Sequence, residues 1–141
     1  MRTRALAVLA TTIILSSAAG APAQAGIRPP DARALHWKTF VTLNGAKLQG
    51  CVERPAGSDN RYMHFRHDTR LAHGATRVRV QENFSGVTAT IWKDNLTAPG
   101  HVVTSGRIGF LGETHKFNGF VITRTGAQAT GSLRIAFFPT C

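Results

Sequence analysis

Residues 76–93, TRVRVQENFSGVTATIWK, alternate apolar and polar side chains on both sides of Ser85-Gly86, and no other stretch constrains the fold as tightly. A two-residue turn there, with Gly86 taking the positive φ that such turns require, pairs Phe84 with Val87, Glu82 with Ala89, Val80 with Ile91 and Val78 with Lys93. Val78, Val80, Phe84, Val87 and Ile91 then face inward. The outer face carries Asn83 opposite Thr88, Gln81 opposite Thr90 and Arg79 opposite Trp92, because strand side chains alternate with period two and a one-residue slip inverts both faces. Arg79 and Trp92 are expected side by side outside, a cation over an indole worth about 0.5 to 1 kcal/mol when exposed.

Asn44-Gly45 marks a second hairpin. Pairing outward from it sets Leu43 with Ala46, Val41 with Leu48 and Trp37 with Val52 on one face. Lys38, Phe40, Thr42, Lys47, Gln49 and Cys51 fall on the other, so Cys51 points away from the core and toward a returning C-terminal tail. Residues 61–67 read as a short strand with Tyr62, His64 and Arg66 on one side and only Met63 and Phe65 on the other, which suits a sheet edge. Residues 102–104 and 107–111 flank a second Ser-Gly, Ser105-Gly106. Residues 117–124 and 131–138 complete the pattern, with Phe120 and Ile122 on one parity and Leu133, Ile135 and Phe137 on the core parity of the last strand. Eight or nine short strands at hairpin spacing, with no helical period, predict an all-β antiparallel β-sandwich, with a small β-barrel as the runner-up.

Residues 1–25 have the form of a secretory signal: Arg2 and Arg4, an apolar run over 5–15, then Ala23-Gln24-Ala25 before the cut. The run is 11 residues, short of the roughly 20 that span a bilayer. Neither a cysteine after the cut nor an apolar tail suggests a lipid anchor or membrane insertion. Removing 25 of the 141 residues leaves 116, enough for one domain, and the loss of the two arginines lowers the net charge from +10 to +8. Residues 26–35, with Pro29-Pro30, form an extended N-terminal arm ahead of a single domain over 36–141. Two cysteines in an exported chain imply one disulfide, Cys51 to Cys141, closing a loop of 91 residues inclusive. Such a crosslink is worth about 4 to 5 kcal/mol on chain entropy alone. A bridge between two chains is the competing reading, since Cys141 is terminal.

Arginine and histidine crowd residues 54–79, offset there only by Asp59 and Asp68. Arg66, Arg70, Arg77 and Arg79, joined by Trp92, make the candidate binding face, because guanidinium groups suit carboxylate and phosphate. A solvated edge strand that resists aggregation explains the same charges. His64, His67 and His73 invite a metal reading, but 64 and 67 fall on opposite faces of a strand, so no metal or other cofactor is implied. No nucleophile elbow, phosphate loop or paired-cysteine motif is present. Glu82 is the one acid placed inward, and pairing with an arginine or hydration at the rim accounts for it better than general acid chemistry. Asn83 and Asn95 sit in glycosylation sequons, which the bacterial look of the composition leaves unused.

The expectation is a small secreted non-catalytic protein-binding or adaptor module. It would act through the arm, an edge strand and the basic face on an acidic protein or extracellular complex. One alternative is binding to carbohydrate or an anionic envelope polymer with Trp92, Trp37 or Tyr62 as a stacking platform, and another is protease inhibition by the loop at 55–60 or 95–100. Nucleic acid is not expected, for want of a stacking motif.

Overall fold

The computed structural model describes residues 36–110 and 114–141; the leader at 1–25 and the arm at 26–35 lie outside the described residues. Among these, nine strands form: β1 (Lys38–Leu43), β2 (Ala46–Glu53), β3 (Arg61–Asp68), β4 (Thr76–Phe84), β5 (Val87–Lys93), β6 (Val102–Thr104), β7 (Ile108–Phe110), β8 (Lys116–Thr123) and β9 (Gln128–Arg134). A 3-10 turn follows at Ile135–Phe137. β1, β2 and β3, with β6 and β7 beyond them, make the first sheet; β5, β4, β8 and β9 make the second, and all pairings are antiparallel. Leu48, Met63 and Phe65 of the first sheet meet Val80, Phe117 and Val121 of the second in one buried cluster. The architecture is the β-sandwich that the alternation predicts.

Both hairpin turns sit where the sequence places them. Asn44 and Gly45, and likewise Ser85 and Gly86, all take positive φ, and Leu43 pairs with Ala46 as Phe84 does with Val87. Beyond the first few pairs, however, each hairpin carries a bulge. Phe40 is the extra residue in β1, so Thr39 pairs with Gln49 and Lys38 with Gly50. Ile91 is the extra residue in β5, so Val80 pairs with Trp92 and Arg79 with Lys93. A bulge puts two residues opposite one and reverses the parity of everything past it.

The reversal turns an aromatic ring toward the core in each hairpin. Phe40 lies 6.2 Å from the Phe65 ring, and Trp92 stacks on the same ring at 6.1 Å and 11°. Phe117 and Phe138 meet the same Phe65 edge-on, at 5.6 and 6.4 Å. Burying a large ring and packing it on others outweighs the ladder hydrogen bond that a bulge forfeits, since a buried aromatic contributes about 1.5 to 3 kcal/mol and a typical net hydrogen bond about 1 kcal/mol. The expected outward Phe40 and the expected Arg79–Trp92 pair are therefore both corrected. At the hairpin tip the inward reading fails for a different reason: Phe84 and Val87 are 49% and 69% exposed.

β3 is not an edge strand. β2 covers one side, while β6 pairs with its end at Arg66–Asp68 and β7 with its start at Arg61–Met63. Ser105-Gly106 accordingly joins two segments running along β3 rather than turning between them. Ser105 bridges the gap, its amide donating to the Phe65 carbonyl and its hydroxyl accepting from the Phe65 amide, both at 2.9 Å.

In β8 it is Phe117, Gly119 and Val121 that are buried, which leaves Phe120 and Ile122 on the outward parity. The 3-10 turn ends the parity of β9: Ile135 and Phe138 are buried, and Phe137 is 59% exposed instead of inward. The tail then crosses to the first sheet and pairs beside β2, with Val52 donating to Pro139 at 2.8 Å and accepting from Cys141 at 2.9 Å. β1 ends its pairing at Gly50, so the tail takes the adjoining edge of β2. Cys141 thereby reaches Cys51, and the intrachain disulfide is formed.

Candidate functional site

Of the five residues expected to share one binding surface, four are divided between opposite outer faces and Trp92 turns inward onto Phe65. Arg66 in β3 and Arg70 in the turn just past it lie with the first sheet and are already engaged. The Arg66 guanidinium lies 4.7 Å from the centre of the Trp37 ring and donates through Nε to Gln49 at 2.8 Å, and Gln49 passes the chain on to Thr39. Burial lowers the Arg66 pKa, with the neighbouring Asp68 working against the shift. Arg70 grips Asp68 with two bonds, Nε to Oδ1 at 3.0 Å and Nη2 to Oδ2 at 2.6 Å, while its own amide donates to Oδ1 at 3.1 Å. Farther along the same face Glu53 accepts from Arg107 and bonds His64. Burial acts to raise the Glu53 carboxyl, but these two partners together hold it below its ordinary value.

The Arg70 hydrogen bonds hold the Asp68 carboxyl at about 2, against an ordinary 3.8. A folded-state value below the unfolded one gives stability that is complete above pH 3.8 and is lost as pH falls through 2. Arg70 is 60% exposed, so solvent screening reduces the contribution to about 1 kcal/mol. Urea unfolding of the wild type and Asp68→Asn should differ by that amount at about pH 5, with the gap shrinking toward pH 2 and closing only below it. A gap as wide at pH 2 as at pH 5 would show that Asp68 acts through packing instead.

The second sheet presents the other pair. Arg77 and Arg79 alternate outward from β4 between the buried Thr76, Val78 and Val80, and the β5 bulge replaces Trp92 with Lys93 as the cross-strand partner of Arg79. β8 adds Lys116 and, just past its end, Arg124, and β9 ends on Arg134, paired with Lys116. Among the described residues, none of these six cations forms an ion pair. Between them the face is mostly polar and uncharged, with Gln81, Thr90, Asn118 and Ser132, the last two hydrogen-bonded at 2.9 Å, and with Phe120 and Ile122 as its apolar members. Lys93, Lys116, Arg124 and Arg134 do not stand out in the sequence; their common parity with Arg77 and Arg79 follows only once the bulge and the β4–β8 register are known.

Where the two sheets meet near β3 and β4, a line of three side chains resembles a hydrolase triad in order. Asp94 Oδ2 lies 2.5 Å from His67 Nδ1, and His67 Nε2 lies 2.9 Å from the Thr76 hydroxyl. Burial excludes the catalytic reading: His67 is fully buried and Thr76 is 1% exposed, so no substrate reaches the hydroxyl. The line is a polar clamp joining the two sheets. Its signal in the sequence is the parity of His67, which it shares with Met63 and Phe65. Glu82, expected to pair with arginine or be hydrated, instead bonds His115, whose ring stacks on Phe84 at 4.3 Å. His64 and His67 do point to opposite faces, and among the described residues no three potential metal ligands converge. Among those residues also, no helix is long and apolar enough to cross a membrane.

No protein-family model matches the chain, and no curated protein matches it by sequence. Among solved structures, the crystal structure of chicken MD-1 complexed with lipid IVa is similar at 8% identity and a TM-score of 0.28, covering 69% of this chain and 94% of that one. At that level the likeness carries no weight beside the geometry of the chain itself.

Proposed function

We propose that the protein is a secreted, non-catalytic binding module that docks an acidic protein partner on the outer face of the second sheet. One observation carries the reading: six cations share that face without a carboxylate partner among the described residues. An unneutralised patch of one sign steers and orients an oppositely charged surface. The outer edge strand of the same sheet, β5, has exposed Thr88, Ala89 and Thr90 and offers an open ladder for a partner strand. Export is supported by the leader pattern in residues 1–25 and by the disulfide, which persists in oxidising surroundings.

The three rings proposed as sugar platforms argue against a carbohydrate surface. Trp92 stacks on Phe65, Trp37 lies beneath Arg66, and Tyr62 lies 5.4 Å from the Arg107 guanidinium, so each already has a stacking partner. The test is affinity capture from culture supernatant of the source cells, with the wild type, an arm deletion and a triple Arg77→Gln, Lys116→Gln, Arg134→Gln variant as baits. A partner held by the wild type and lost from the triple variant, with recovery that falls as salt rises, is the expected result. Equal capture by wild type and triple variant would sink the proposal, and equal capture after arm deletion would remove the arm from it.

A further inference from the structure

At the Arg77 end of the cationic face the second sheet encloses a concavity of about 480 Å³. Arg77 and Arg79 from β4, Lys93 from β5 and Arg124 from the β8–β9 turn line it, with Ile122 and Leu96 as the apolar part of its wall. Four cations from three chain segments converge on a space large enough for a small polyatomic ion. Asp94 also borders it, but its oxygens are engaged elsewhere, Oδ1 by the Val78 amide at 2.6 Å and Oδ2 by His67 and Thr97.

Arg79 is the most constrained of the four. Its guanidinium lies over the Phe120 ring at 4.4 Å, which backs it on one side. Its Nε is buried, out of reach of a ligand in the concavity, so the Nη groups are left to meet an anion. An arginine engages two oxygens at once through a pair of N–H donors. A carboxylate has only two oxygens, enough for one such arginine. A phosphate or sulfate group has three or four, matching several cations arriving from different sides.

We infer that this concavity is a subsite for one tetrahedral oxyanion, a phosphate or sulfate group, with Arg79 as its orienting donor. The subsite rests on the reading of the second-sheet face as the docking surface and deepens it, anchoring an oxyanion on the partner or in the medium at one end of that face. It also gives a physical reason for Phe120 on an outer face, since the ring packs against the Arg79 guanidinium rather than filling the core.

Calorimetric titration of the protein with inorganic phosphate and, separately, with sulfate tests it, using sodium chloride of equal ionic strength as the blank. Poly-glutamate is titrated in parallel as a carboxylate-only probe of the face. Saturable one-to-one binding of either oxyanion is expected, weakened about tenfold or more in Arg79→Gln and nearly unchanged in Lys38→Gln, an exposed cation on β1 of the other sheet. Arg124 is exposed at a turn, so Arg124→Gln repeats the test without touching packing and should weaken binding as well. Thermal melts establish that each variant is folded. No saturable response to phosphate or sulfate, with poly-glutamate still bound, overturns the subsite and leaves the face. Silence with all three probes overturns both, and oxyanion binding unaffected by Arg79→Gln and Arg124→Gln overturns the location.

Discussion

Replacing Asp94 with alanine is expected to cost about 3 to 5 kcal/mol of stability, more than any other acidic residue among those described, because three donors lose their acceptor at once. The Val78 amide at 2.6 Å, the His67 ring at 2.5 Å and the Thr97 hydroxyl at 3.2 Å all converge on this one carboxylate. His67 comes from the first sheet, and the other two partners and Asp94 itself belong to β4 or follow β5. The clamp therefore couples the sheets through polar contacts inside an otherwise apolar core. Asp94→Asn keeps the shape and can still accept one or two of the bonds, so it should be milder. Denaturant unfolding of Asp94→Ala, His67→Ala and the double variant gives the coupling energy directly. A coupling near zero would mean that the two side chains are buried independently and that the clamp is only a contact. Because Asp94 borders the proposed oxyanion subsite, a folded Asp94→Asn should also bind phosphate no more weakly than the wild type.

Much of this fold is legible in the sequence because turn chemistry is local. Asn44-Gly45 and Ser85-Gly86 announce positive φ in the residues themselves, and the strands nearest each turn inherit a register from it. The disulfide is legible for a similarly simple reason, since only two cysteines are available. What fails lies beyond the bulges. A bulge is decided by whether a particular ring, Phe40 or Trp92, has a place in a core made by other strands, and Phe65 is what provides that place. Turn placement and distal register are thus separable: the Ser85-Gly86 turn is right while Arg79 faces Lys93.

The candidate site is half legible. Arginine density marks Arg77 and Arg79, but density in sequence cannot distinguish them from Arg66 and Arg70, which lie on the other sheet beside their own partners. β3 and β4 are consecutive strands in different sheets. One short connection carries the chain across the sandwich, so residues about ten apart in sequence end on opposite surfaces. The cations that do join Arg77 and Arg79 come from β5, β8 and β9, a grouping set by long-range pairing.

The Phe40 bulge carries its own prediction, because the second sheet has been cleared to receive it. A Cβ on Gly119 would stand 2.4 Å from Phe40 Cε2 and 2.7 Å from Leu48 Cδ2, whereas a Cβ on Gly131 would stand 2.1 Å from the Phe40 carbonyl oxygen. These are different obstacles. Gly119→Ala meets the far ends of two side chains, which can turn aside, and should cost about 1 to 3 kcal/mol as ordinary overpacking does. Gly131→Ala meets backbone, which moves only if β1 moves, and should cost more than about 3 kcal/mol or prevent folding. The two should also respond differently to Phe40→Ala. Removing the ring empties the space that the Gly119 methyl would enter, so the Phe40→Ala, Gly119→Ala pair should be markedly less destabilised than the sum of its parts. The Phe40 carbonyl remains after the same change, so the pair with Gly131→Ala should show no such relief. If Phe40→Ala relieves both glycine substitutions equally, then the ring sets the spacing between β1 and β9 and the bulged backbone does not.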